Sequence, residues 1–127
     1  ARMEAVDAGV SEAIMLNAAG MVAEATGDNV FIVRDGVVAT PPPHAGILVG
    51  ITRGVVLDLA RKVNIPVSQR ELTRYDLYTA DECFLTGTAA EVVPVVAIDG
   101  RTIGQGAVGP ITRRLKDAFH ELVRSEQ

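Results

Sequence analysis

The sequence has no tryptophan, and phenylalanine and tyrosine together make up only 4% of its 127 residues. A core can therefore come only from its many Val, Ile, Leu and Ala side chains. There is one cysteine, Cys83, so no internal disulfide can form, and its neighbours Phe84 and Leu85 favour a small buried thiol over a nucleophile. A reducing compartment suits such a chain. No apolar run approaches the 18 residues of a membrane span, and no signal-like apolar region opens the sequence, so the cytoplasm is the expected location. Neither charge sign clusters: 12 Lys plus Arg against 16 Asp plus Glu give a net charge of -4. That excludes a basic groove, and nucleic acid is not an expected partner. Lysine itself is scarce, with only Lys62 and Lys116.

What remains is 48% hydrophobic and fits one domain over residues 1–127, large enough to bury about two-thirds of its unfolded surface. The opening residues up to Gly9 read as the last turns of a helix closed by glycine. Ser11 to Asn17 and Met21 to Glu24 read as a hairpin around Ala18-Ala19-Gly20. Two more hairpins surround Asp35-Gly36 and Asp99-Gly100, dipeptides suited to type I′ turns. Pro41-Pro42-Pro43 demands a loop. Ile51, Val55, Leu59 and Val63 recur every fourth residue and predict a helix ending at Asn64-Ile65-Pro66. A second helix is expected from Gly109-Pro110, with Ile111, Leu115, Ala118 or Phe119, and Leu122 on one face. Strands are expected from Pro66 to Leu72 and from Asp81 to Leu85, with a short turn at Tyr75-Asp76-Leu77. The fold class is α/β: a mixed sheet with hairpins and packed helices.

Chemistry is suggested in three places. In "GILVGITR", Gly50, Ile51 and Thr52 enter a helix, whose unpaired N–H groups and positive macrodipole end can hold a phosphate. Thr52 as an ordinary cap explains the same residues. In "FLTGTAAEV", Gly87 lies between two threonines at the end of an apolar strand, where α/β sheets bind ligands. In "VAEATGDN", Glu24 ends an apolar strand, either as a solvated carboxylate or facing a cationic ring nitrogen. Arg53 can pair with a phosphate or point away from it. Tyr75 and Tyr78 are placed near the "TADE" strand start. His44 and His120 have no metal-ligand spacing and read as surface residues.

In this order, "VAEATGDNVFIV", "GILVGITR", "LYTADECFLTGTAAEVVPV", "IDGRTIGQG" and "GPITRRL" resemble the C-terminal part of the fold-type-IV pyridoxal-phosphate enzymes. The resemblance is closest to the branched-chain amino acid aminotransferases and covers essentially the whole sequence. It implies a C-terminal cofactor-binding domain with pyridoxal 5'-phosphate as cofactor. Glu24 would hydrogen-bond the pyridine nitrogen, and Leu48 would pack on the ring. Gly50, Ile51 and Thr52 would grip the phosphate, with Gly87 and Thr88 as a second grip. The N–H groups of Thr88 and Ala89 would receive the substrate carboxylate, while small Ala89 and Ala90 leave room for a branched side chain.

Partners implied by the resemblance are a branched-chain amino acid, a 2-oxo acid such as 2-oxoglutarate, an N-terminal domain, and a second subunit in a dimer or higher oligomer. Ala25 replaces a usual glycine, and Val49 a common proline. The Schiff-base lysine has no counterpart: Lys62 and Lys116 read as solvated helix residues, and the family's lysine lies upstream of the segment matching Ala1 to Gly9. No catalytic residue is therefore assigned, and the chain alone is expected to be catalytically incomplete. A D-amino acid aminotransferase and aminodeoxychorismate lyase share the cofactor site and are the enzymatic alternatives. An inactive folded fragment is the third.

Overall fold

The computed structural model describes residues 2–7, 10–16, 20–25, 28–42, 50–87 and 91–125. Five strands form the first sheet, in the order β10 (Arg101–Thr102), β9 (Ala97–Ile98), β1 (Arg2–Asp7), β2 (Val10–Leu16) and β3 (Val22–Ala25). All its ladders are antiparallel. The second sheet runs β6 (Val67–Gln69), β5 (Val37–Thr40), β4 (Asn29–Arg34), β7 (Glu82–Gly87) and β8 (Glu91–Val95). It is mixed, because β5 and β6 run parallel while its other ladders are antiparallel. Helix α1 (Ile51–Lys62) makes the crossover between β5 and β6; α2 (Arg74–Tyr78) is short, and α3 (Pro110–Ser125) follows the last hairpin. The α/β assignment with a mixed sheet holds, and an antiparallel second sheet is added to it.

Side-chain alternation along β4 and β7 divides the core in two. Val30, Ile32, Cys83 and Leu85 point one way and pack with Ile14, Val22 and Ile98 of the first sheet and with Leu72 and Leu77. Phe31, Val33 and Phe84 point the other way and meet Val56, Leu57 and Ala60 of α1 and Leu115 and Phe119 of α3. The layers are therefore sheet, mixed sheet, helices. Phe31 and Phe84, direct partners in the ladder, stack with centroids 4.8 Å apart; such a pair contributes about 0.5–1.5 kcal/mol beyond its buried area. Cys83 is buried, as expected from its neighbours, and burial pushes its thiol up to about 12, so it stays protonated and inert.

Both Asp-Gly hairpins form. Asp35 and Gly36 have φ of 51° and 78°, and Asp99 and Gly100 have 50° and 75°, the positive pairs that a type I′ turn requires. The hairpin of β2 and β3 is also present.

Three expectations are corrected. Residues 2–7 are strand β1 rather than a helix end, paired with β2 on one side and β9 on the other. Helix-favouring Ala, Met and Glu yield there to two ladders. Residues 74–78 form a helical turn rather than an open one, started by a capping box between Thr73 and Asp76. On α1 the buried positions are Thr52, Arg53, Val56, Leu57 and Ala60, while Ile51 is 83% exposed. A row of every fourth residue drifts about 40° per step around a helix of 3.6 residues per turn, so it cannot stay on one face. Val55, Leu59 and Val63 flank the buried stripe.

Candidate anion-binding site at the start of α1

The first turn of α1 sits over one end of the mixed sheet, hydrogen-bonded to the ends of β7 and β6 and to Pro41 just beyond β5. Thr52 Oγ1 donates to the carbonyl of Gly87 at the end of β7, 3.3 Å away. Asn29, at the start of β4, is buried beneath Gly50: a Cβ on that glycine would stand 2.8 Å from Asn29 Oδ1. Arg53 reaches the other way, donating from Nη2 to the carbonyl of Pro41 just beyond β5 (3.0 Å) and to Gln69 Oε1 of β6 (2.8 Å). Gly87 is similarly tight, because a Cβ there would collide with the carboxylate of Asp28. At both glycines a neighbouring side chain occupies the space a Cβ would take, and neither has a positive φ.

Gly50, not Thr52, is the N-cap residue of α1, and it has no side chain with which to cap. No acidic residue stands in the first turn. The helix thus presents N–H groups and the positive end of its dipole with no carboxylate of its own to answer them. Below lies further polar capacity. Arg53 Nε and Thr86 Oγ1 are buried without a hydrogen-bond partner among the described residues. Arg53 is 4% exposed, and burial lowers its guanidinium pKa from the ordinary value. It points toward β5 and β6, where it ties down the start of the segment leading to Leu48 and Gly50.

The other two helix starts are closed. Asp76 accepts from the backbone N–H of Thr73 at 2.8 Å in the capping box of α2. Burial alone would raise the Asp76 pKa; hydrogen bonds from Thr73 and the charge of Arg70 outweigh it and hold it below the usual value. On α3, Pro110 takes the first position as expected, and the carboxylate comes from β7: Glu82 accepts from the N–H of Thr112 at 2.7 Å and of Ile111 at 3.3 Å. Gly109 makes room for it, since a Cβ there would strike the Glu82 side chain.

Of the residues singled out in the sequence, the structure brings Gly50, Ile51, Thr52 and Gly87 together. Leu48, Thr88, Ala89, Ala90 and His44 lie outside the described residues, as does the side chain of Glu24, whose backbone pairs with Met15 in the first sheet. Lys62 is exposed at the last position of α1, about 16 Å along the axis from Ile51, and Lys116 is half-buried on α3. Tyr75 is 67% exposed, while Tyr78 donates to Asp99 Oδ2 at 2.8 Å and lies under the guanidinium of Arg101, 4.2 Å from the ring centroid. Asn29, Glu82 and Thr86 are polar residues at the site or its counterpart that were not foreseen. Their signal was parity: 82, 84 and 86 share the helix-facing side of a strand buried on both faces.

An open helix start beside a glycine-bearing strand end suits an oxyanion such as a phosphate ester. A family model described as "Amino-transferase class IV" matches residues 1–98. A protein of Methanocaldococcus jannaschii, provisionally named a branched-chain-amino-acid aminotransferase, is 54% identical over 122 residues, covering 96% of this chain and 42% of the relative. The branched-chain-amino-acid aminotransferase of Pseudomonas aeruginosa is 47% identical over 123 residues, 97% of this chain and 40% of the relative. A crystal structure of the T.th. branched-chain amino acid aminotransferase with pyridoxamine 5'-phosphate superposes with a TM-score of 0.87 at 46% identity, over 91% of this chain and 38% of that one. The chain spans about two-fifths of the length of the curated relatives it matches. With a family model covering more than half its residues and a shared architecture at this identity, the chain belongs to the class IV amino-transferases.

Proposed function

We propose that this chain is the phosphate- and carboxylate-holding part of a pyridoxal-phosphate-dependent aminotransferase that moves the amino group of leucine, isoleucine or valine to 2-oxoglutarate. The observation that carries this reading is the hydrogen bond from Thr52 Oγ1 to the Gly87 carbonyl. It sets the start of α1, which has no side-chain cap, beside the strand end that leads into Thr88, Ala89 and Ala90. The buried, unpartnered hydroxyl of Thr86 on the helix-facing side of β7 adds polar capacity beside the start of α1.

When bound, pyridoxal phosphate supplies the electron sink for the amino acid's α-carbon. The chain's own residues bind and orient. The N–H groups of Ile51 and Thr52 and the Thr52 hydroxyl hold the phosphate, with Gly87 and Thr88 as the second grip. Leu48 would pack on the ring, and Glu24 would hydrogen-bond the ring nitrogen and favour its protonated form. The N–H groups of Thr88 and Ala89 receive the carboxylate, and Ala90 leaves space for a branched side chain. The proton-shuttling lysine is assigned to the rest of the enzyme, because Lys62 is exposed at the far end of α1 and Lys116 lies on α3; an N-terminal domain, a second subunit and a cytoplasmic location are proposed from the resemblance.

The complete reading frame, purified with pyridoxal phosphate, should transaminate leucine, isoleucine and valine with 2-oxoglutarate. A Thr52→Val variant should hold the cofactor roughly tenfold more weakly, measured by equilibrium dialysis. Activity on D-alanine with none on the branched amino acids would overturn the substrate assignment.

A further inference from the structure

Thr86 is wholly buried, yet its hydroxyl has no hydrogen-bond partner among the described residues. A buried hydroxyl left in that state costs about 1–3 kcal/mol, so its presence calls for a compensating use. Its position is defined by the ladder. Along β7, Phe84 packs against the helices and Cys83 and Leu85 against the first sheet, so Thr86 shares the helix-facing side with Phe84. Its partner across the ladder is Asn29, the residue beneath Gly50. The next residue along β7, Gly87, accepts the Thr52 hydroxyl. Thr86 therefore lies on the helix-facing side of β7, between Gly87, which accepts from Thr52, and Asn29, which lies against Gly50.

The Thr52 hydroxyl has one proton, and in this structure it is given to the Gly87 carbonyl over a long 3.3 Å. To bind a phosphate oxygen, that proton must be redirected from the carbonyl, while the Thr52 oxygen keeps its lone pairs to accept a hydrogen bond. Resting on the phosphate reading above, we propose that Thr86 is a positioning residue whose hydroxyl donates to Thr52 Oγ1 once an anion occupies the start of α1. The resulting chain runs from Thr86 O–H to Thr52 O–H to the anion. Each link polarises the next, so the bond that recovers the cost of the orphan hydroxyl is strengthened in the loaded state. Nothing covalent changes: one proton turns from a carbonyl to an anion, and a second finds an acceptor.

The test titrates the full chain with inorganic phosphate by calorimetry and measures unfolding in urea without phosphate. Thr86→Val keeps the shape and removes the hydroxyl. It should leave the phosphate-free protein as stable as the parent or more so, while weakening phosphate binding about fivefold. Thr86→Ser should bind like the parent. Unchanged affinity in Thr86→Val, alongside a loss in Thr52→Val, would overturn the role of Thr86 and leave the phosphate site standing. Equal losses in Thr86→Val and Thr86→Ser would also overturn it, by showing that packing alone matters. A parent chain that does not bind phosphate would sink the phosphate reading and this proposal together.

Discussion

Helices α1 and α3 lie on the same face of the same sheet, and both begin over β7, at opposite ends of it. At the start of α3 a buried carboxylate from the strand, Glu82, accepts two backbone N–H groups. At the start of α1 the strand offers Thr86 and a glycine, and no carboxylate stands in the first turn. The strand thus treats two similar helix starts in opposite ways. One is neutralised internally and serves stability. The other has neither a side-chain cap nor an acid in its first turn, and on the function proposed above it serves a ligand. That the short α2 also carries its own acid, Asp76, makes α1 the exception among the three.

The comparison can be broken most forcefully at Glu82. Glu82→Gln replaces a carboxylate by an amide, one side of which turns a donor toward the helix. The change should cost about 1.5–3 kcal/mol in urea unfolding, with phosphate affinity unchanged. A loss of phosphate binding at constant stability would show that the two helix starts are not separable.

The reverse experiment gives α1 an acid. Ile51 is 83% exposed, so Ile51→Asp removes little packing. It should stabilise the phosphate-free chain by about 0.3–1 kcal/mol and weaken phosphate binding by roughly tenfold, because the new carboxylate takes the place of the ligand's charge. Undiminished binding in this variant would mean that the anion does not sit at the helix start.

The smallest effect is expected at Thr112, in the first turn of α3 itself, whose hydroxyl is also buried without a partner among the described residues. Thr112→Val should change stability by no more than about 1 kcal/mol, in the stabilising direction, and leave phosphate binding untouched. A drop in phosphate affinity comparable to that of Thr86→Val would show that orphan hydroxyls act globally rather than at α1.

Local patterns were legible in the sequence where one residue type has one physical use. Asp35-Gly36 and Asp99-Gly100 gave their hairpins, and Gly109-Pro110 gave the start of α3. The candidate site was half legible. Gly50, Thr52 and Gly87 are small or hydroxyl-bearing residues at element ends, and such residues advertise themselves. Asn29 and Glu82 do not. Each acts on a partner 21 or more residues away, and only the register of β4 against β7 places them. Residues 2–7 misled because Ala, Met and Glu favour a helix, whereas two neighbouring strands, one of them more than 90 residues later in the chain, decide the outcome.

The crossover from β5 through α1 to β6 also has a kinetic consequence. A hairpin turned by Asp35-Gly36 can close in microseconds, because its partners are adjacent. The Thr52–Gly87 contact spans 35 residues and can form only after the parallel pair and β7 are in place. Contacts made after the folding transition state govern how fast a protein unfolds, not how fast it folds. Phosphate bound across this late junction should therefore act as a brake on unfolding, lengthening the lifetime of the native state while leaving the refolding arm of a stopped-flow chevron where it was.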